Sequence, residues 1–157
     1  MREESIDAIL QDEGPIAAEA GRVTTNYRST FITIADDSPS SSGVIPPSSA
    51  TPTIAALQFT LLTERPYELT SDEVLFEVHA IRSHIPAEAR DAERERFFAK
   101  DQACLRASPL AKRYGWGIHH DHEERVALIA VGTAQYDELA GRSDLMHKPA
   151  MRSARKR

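Results

Sequence analysis

Two apolar runs on either side of a polar turn constrain this chain more than any other feature. Gly117 to Asp121 and Val126 to Val131 carry strand-forming residues, and Asp121-His122-Glu123-Glu124 joins them. Strands separated by so short a turn pair antiparallel, so the spacing predicts a hairpin. Upstream, Phe31, Ile32 and Ile34 among threonines predict a further strand. Helix signals fill the interval between them. Thr51-Pro52 resembles an N-cap with proline at the first helical position. That helix is expected to reach about Glu64, with Ile54, Leu57 and Leu61 on one stripe, Phe59 and Leu62 widening it, and Pro66 as its stop. Pro86 begins a second helix through Ala99, supported by surface pairs such as Glu93 with Arg96 and anchored by Phe97 and Phe98. Ser108-Pro109 opens a short one, and Thr133 caps Ala134 to Ala140 before Gly141 closes it.

One segment sends mixed signals. Thr70-Ser71-Asp72-Glu73 fits a capping box, which marks a helix start. Yet Val74 to Ile81 alternates, which predicts a single turn and then a strand. On that reading Val74, Phe76, Val78 and Ala80 face the core, and Glu77 and His79 face away. The resulting order β, α, β, α, hairpin, α predicts an α+β class. The expected architecture is a mostly antiparallel sheet with three to four helices in a single domain.

The chain has 157 residues, enough to bury a core of its own, and 41% hydrophobic with 27% charged residues is ordinary for a soluble protein. No run of about 18 apolar residues is present, so no membrane span is expected. The acidic start Met1-Arg2-Glu3-Glu4-Ser5 lacks the apolar stretch of a secretory signal. A lone cysteine forms no internal disulfide, which points to a reducing, cytoplasmic setting. Residues 1–24 read as a partly flexible extension with one or two short helices over 3–21, broken at Gly14-Pro15. Residues 25–153 read as the domain and 154–157 as a basic tail. The Ser- and Pro-rich stretch over 36–50 is expected to be a surface loop, either functional or disordered.

Charge is uneven along this chain of net charge -5. Acids crowd residues 1–22, whereas Lys100, Arg106, Lys112 and Arg113 face only Asp101 between 97 and 118. Arg142, Lys148, Arg152, Arg155, Lys156 and Arg157 follow Gly141. Such basic segments meet either an anion or the acidic remainder of the same protein. A helix start presents free N–H groups and partial positive charge, so Arg106, Ser108, Lys112, Arg113 and Tyr114 together suit a phosphate or carboxylate. Against this stands the plainer reading that Ser108 only caps the helix and the cations stay solvated. His119 is the natural acid or base beside such a site, because its ordinary pKa lies near neutrality.

Cys104 is the weaker catalytic candidate. Cations at 100 and 106 favour its thiolate, but no glycine-rich cradle surrounds it, and a cysteine beside Leu105 is more often a small buried hydrophobe. The run His119-His120-Asp121-His122-Glu123 invites a metal reading, with His79 or His84 as the nearest third ligand. Its spacing matches no metal signature, a solvated turn accounts for it better, and neither metal nor cofactor is expected. Gly115 and Gly117 beside Tyr114 and Trp116 permit close backbone approach, in a ligand platform or a packed strand.

Several words of this sequence resemble a family of small uncharacterised microbial proteins, catalogued as a domain of unknown function. They are Thr25-Asn26-Tyr27, Thr30-Phe31-Ile32, Pro66-Tyr67, Thr70 to Phe76, Cys104 to Leu110, Lys112 to His119, and Ala150-Met151-Arg152-Ser153. The resemblance runs from about Thr25 to Ser153 and implies no activity, cofactor or catalytic residue. It implies that the tail is docked at least to Ser153. The function expected is the binding of a small anionic ligand, with or without catalysis. The alternative is a nucleic-acid or protein interaction module using the basic loop and tail, and a structural role in an assembly stands behind both. No membrane partner is expected, and the sequence leaves the oligomeric state open.

Overall fold

The hairpin forms one edge and the middle of a four-stranded sheet. Strands β1 (Thr30–Thr33), β2 (Trp116–His120), β3 (Val126–Ala130) and β4 (Met146–Pro149) lie in the order β3-β2-β1-β4. β2 pairs antiparallel with β3 and β1, and β4 runs parallel to β1. The structure, a computed structural model, describes residues 24–154. The helices expected over residues 3–21 and the cations Arg155, Lys156 and Arg157 lie outside that range. Five helices accompany the sheet among the described residues: α1 (Ile54–Glu64), α2 (Ser71–Arg82), α3 (Arg90–Phe98), α4 (Pro109–Arg113) and α5 (Ala134–Gly141). The α+β class with a mostly antiparallel sheet is the class expected from the sequence.

Strand alternation divides the core into two faces. Ile32, Ile118 and Val126 pack with Leu62 of α1, Val74 of α2 and Ala111 of α4. Phe31 and Ile129 point the other way, against Tyr136 and Leu139 of α5.

The expected strand at Val74 to Ile81 is instead the body of α2. Thr70 and Glu73 complete the capping box, with the Thr70 hydroxyl accepting from the Glu73 amide at 3.2 Å and the Glu73 carboxylate accepting from the Thr70 amide at 2.9 Å. The alternation misleads because α2 is covered on two sides. Val74 joins the sheet-facing core, while Phe76 meets Phe97 with ring centroids 5.9 Å apart. His79 stacks on Phe97 at 4.6 Å and bonds Glu93 at 2.8 Å. Burial at 74, 76, 78 and 80 is therefore real, but two flanking layers produce it. The pair Glu93–Arg96 forms as expected, at 2.8 Å.

Two further expectations shift. Thr53, not Thr51, caps α1, its hydroxyl accepting from the Ala56 amide at 3.1 Å. The buried stripe of α1 is Ala55, Gln58 and Leu62, and Ile54 is 41% exposed. Burial of Gln58 is tolerable because Ser108 Oγ donates to its Oε1 at 2.6 Å, an arrangement no apolar pattern can reveal. β4 carries no strand signal. Met146-His147-Lys148-Pro149 is mostly exposed and joins the sheet through its backbone, as in the Met146 amide bond to the Ser29 carbonyl at 2.9 Å.

The segment preceding β1 is fastened to α2. Asp72 accepts from the Thr24 hydroxyl at 2.7 Å, the Thr25 amide at 2.8 Å and the Thr25 hydroxyl at 2.7 Å. Asn26 Oδ1 accepts from the Asp72 amide at 2.9 Å. Hydrogen bonds to an ionised group stabilise more than neutral ones, so Asp72→Ala is expected to cost about 2 kcal/mol. Urea denaturation checks this, and an unchanged midpoint would show that Thr24 and Thr25 find equivalent partners.

The Ser- and Pro-rich loop is also docked. Ser40 Oγ donates to the Arg113 carbonyl at 2.7 Å, and the Val44 amide donates to the Tyr114 carbonyl at 2.8 Å. Trp116 Nε1 in turn donates to the Val44 carbonyl at 2.8 Å. The run Tyr114-Gly115-Trp116-Gly117 thus serves as the seat of this loop. Gly117 lies against the rings of Phe31 and Tyr136, where a Cβ would come within 2.7 Å of both.

Candidate functional site

The residues expected to surround one anion do not converge. Arg106 sits in the middle of a short 3-10 turn, and its Nε donates to the Pro149 carbonyl at 2.7 Å. Its own carbonyl accepts from the Met151 amide at 2.8 Å, so Arg106 fastens the segment after β4. That segment continues to Asp37, whose carboxylate accepts from the Ser153 and Ala154 amides at 3.0 and 3.1 Å. These bonds hold Asp37 below its usual pKa. Ser108 is 4% exposed, and its hydroxyl is occupied by the Leu110 amide at 3.1 Å and by Gln58. The plainer reading of Ser108 as a helix cap is the one its surroundings support. Lys112 is half-buried and Arg113 exposed on the five-residue α4.

Arg113 and Tyr114 instead line a surface groove with residues of two other helices. Thr53 and Ile54 at the start of α1, Arg82 at the end of α2 and Pro109 complete its walls, around a volume of about 270 Å³. Two arginines thus border one groove. Among the described residues neither pairs with a carboxylate, whereas Arg28, Arg65, Arg90, Arg96 and Arg142 all do. Both are exposed. Arg82 escaped notice in the sequence because a strand was expected up to Ile81. A helix through that segment, as the capping box signals, brings its basic last turn to the groove.

His119 does not stand beside this groove. Along β2, Ile118 belongs to the face covered by α1 and α4, and Gly117 and His119 belong to the α5 face. Strand alternation thus sets His119, expected as an acid or base beside the anion site, on the other face from Arg113. His119 Nδ1 lies 2.8 Å from the hydroxyl of Tyr67 instead. Burial, and next the Arg142 guanidinium, lower the pKa of His119. Burial and the Asp121 carboxylate raise that of Tyr67.

Cys104 is half-buried, with Sγ 3.2 Å from the Tyr27 hydroxyl. Burial and this neighbour push the Tyr27 pKa upward. His120 is fully buried, edge-on to Tyr27 at 5.3 Å, whereas His122 is exposed in the turn. His79 is engaged by Phe97 and Glu93, and His84 is exposed after α2. Among the described residues no three His, Cys, Asp or Glu side chains gather as a metal site would require. Nor, among them, is any helix long and apolar enough to cross a membrane.

A family model described as a family of unknown function (DUF6157) matches residues 22–156. No curated protein and no solved structure matches the chain.

Proposed function

The chain belongs to this family of unknown function, and we propose that it binds a small carboxylate- or phosphate-bearing ligand in the groove between α1, α2 and α4. The observation that carries this reading is the pair Arg82 and Arg113, two guanidiniums without an acidic partner among the described residues, on one concave surface. Guanidinium groups present donors in a fixed fork that matches carboxylate and phosphate oxygens. The start of α1 adds partial positive charge to the same wall. Ile54, Pro109 and the Tyr114 ring supply apolar walls, which suit a ligand with a compact apolar body behind its anionic head. The lone cysteine supports a reducing, cytoplasmic setting.

Phenyl phosphate is a suitable probe, because it carries both parts. Thermal-shift and calorimetric titrations are expected to show saturable binding, weakened at least about tenfold in the Arg82→Ala, Arg113→Ala double variant. Lys100→Ala, which removes a cation outside the groove, is expected to leave binding unchanged. Equal affinity in all three proteins would remove the proposal. Tight binding of a single-stranded oligonucleotide, falling steeply with salt, would favour the nucleic-acid reading instead.

A further inference from the structure

The groove between α1, α2 and α4 is lined by two cations and by no acid. Arg82 and Arg113 stand among Thr53, Ile54, Pro109 and Tyr114. A second groove, between α2 and α3, is built differently. Its Arg90 is paired with Glu77, and Glu73 and Asp91 line it as well. Only the first leaves its positive charge uncompensated among the described residues. Its apolar side is open too. Ile54 in the wall is exposed, and so are Val44 and Ile45, where the loop is fastened to the Tyr114 carbonyl. A complementary occupant therefore combines carboxylates with branched aliphatic side chains.

One stretch of this chain, outside the described residues, has that composition. Ile6-Asp7-Ala8-Ile9-Leu10-Gln11-Asp12-Glu13 sets three large aliphatic residues beside three acids. Residues 1–22 as a whole hold six acids against Arg2 and Arg22. The tether of this stretch is anchored on the helix that leads to the groove. The described chain begins at Thr24, whose hydroxyl donates to Asp72 in the first turn of α2, and Arg82 lies in the last turn of the same helix. Those turns are about 15 Å apart at the rise of an α-helix. The chain from Glu13 to Thr24 spans up to about 36 Å when extended, so the reach is sufficient. Tethering also supplies an effective concentration on the order of millimolar, at which contacts too weak to hold a free peptide suffice.

We infer that residues 6–13 occupy the groove of their own molecule, with their carboxylates on Arg82 and Arg113 and their aliphatic side chains against Ile54 and Tyr114. Given the groove's role as an anion site, on which this occupancy rests, the segment is a built-in competitor. A small anionic ligand binds by displacing it, so the acidic segment sets the concentration at which the groove fills.

Amide spectra of the isotopically labelled full chain and of its Asp7→Asn, Asp12→Asn, Glu13→Gln variant test this. The amides of Ile54, Arg82, Arg113 and Tyr114 are expected to differ between the two, while those of Phe31 and Ile129 in the other core layer coincide. About 0.5 M salt is expected to move the groove amides of the unaltered chain toward their positions in the variant, because surface ion pairs are screened. Removing the same charge through Glu95→Gln, Glu123→Gln and Glu138→Gln, all exposed and outside the groove, is expected to leave those amides in place. Phenyl phosphate is expected to bind the variant lacking Asp7, Asp12 and Glu13 about threefold or more tightly than the unaltered chain. Identical groove amides in the two proteins would overturn the inference. Differences that grow with protein concentration would also overturn it, since they place the segment of a second copy in the groove. Equal affinity of the two proteins for phenyl phosphate removes the competitor and leaves the ligand site standing. Groove amides displaced by the substitutions, with phenyl phosphate binding neither protein, keep the segment in the groove and remove the ligand.

Discussion

Gly115→Ala is expected to destabilise the fold by about 2–5 kcal/mol, from left-handed strain of about 1–2 kcal/mol and overpacking of about 1–3 kcal/mol. Gly115 has φ +81°, a conformation that glycine adopts freely and alanine does not. A Cβ there would also collide with the carbonyl of Ser42, which is backbone and cannot rotate away. Relief requires the docked loop to lift from Tyr114 and Trp116, breaking the bonds that Val44 makes to both. The single tryptophan reports on this directly, so urea unfolding followed by Trp116 fluorescence is the measurement. A lowered midpoint together with altered native emission is expected. Gly141→Ala is the control: nothing lies within 4 Å of its would-be Cβ, so the change is expected to be neutral or slightly stabilising. Equal stability of the two variants would show that the loop is not seated as described.

Acid sensitivity above the carboxylate range is the second large effect expected. Both ring nitrogens of His120 are buried without a hydrogen-bond partner, and desolvation lowers its pKa from 6.5 to about 3. The folded state therefore keeps this ring neutral across the working pH range. Below pH 6.5 the unfolded chain takes up a proton that the folded chain refuses, so stability falls as pH falls through that window. The slope approaches about 1.4 kcal/mol per pH unit, or about 2–3 kcal/mol between pH 6.5 and 4.5. His119 is lowered in the same direction and adds to the loss. Asp37, Glu93 and Asp144 are held below their ordinary values, so their stabilising contributions are lost only at lower pH. Replacing His120 with leucine removes an unpaired polar ring at similar volume, and is expected to change stability at pH 8 by less than about 1.5 kcal/mol. The same substitution is expected to flatten the pH dependence between 6.5 and 4.5. Parallel curves for the two proteins would contradict this role for His120.

Both predictions rest on features the sequence shows only in part. Gly115 and Gly117 beside aromatics announce a close approach, but they do not say what approaches, because Ser42 lies far away in the chain. The hairpin, the α5 cap at Thr133 and the short α4 are legible because their signals are local. The Thr133 hydroxyl indeed accepts from the Tyr136 amide at 3.2 Å. α2 reads as a strand because the burial of Phe76 depends on α3, a neighbour in space that alternation cannot distinguish from a second sheet face. β4 was invisible because its pairing with β1 uses backbone groups and its side chains stay mostly exposed. The candidate site suffered the same limit. Arg113 and Tyr114 could be read from their cluster of basic and aromatic residues, but Arg82 required knowing that α2 is a helix. Tyr67 required knowing which residue would reach His119. Arg106 and Ser108 look available in one dimension, and the fold spends them on Pro149 and Gln58.

The claim on which the functional reading turns is that the anion sits between Arg82 and Arg113. An amide chemical-shift titration of the isotopically labelled chain with phenyl phosphate tests it most directly. Saturable shifts are expected at Thr53, Ile54, Arg82, Arg113 and Tyr114, with the amides of His119 and Tyr67 unmoved. Shifts gathered around Arg106 and Pro149, or none at saturating probe, would contradict it.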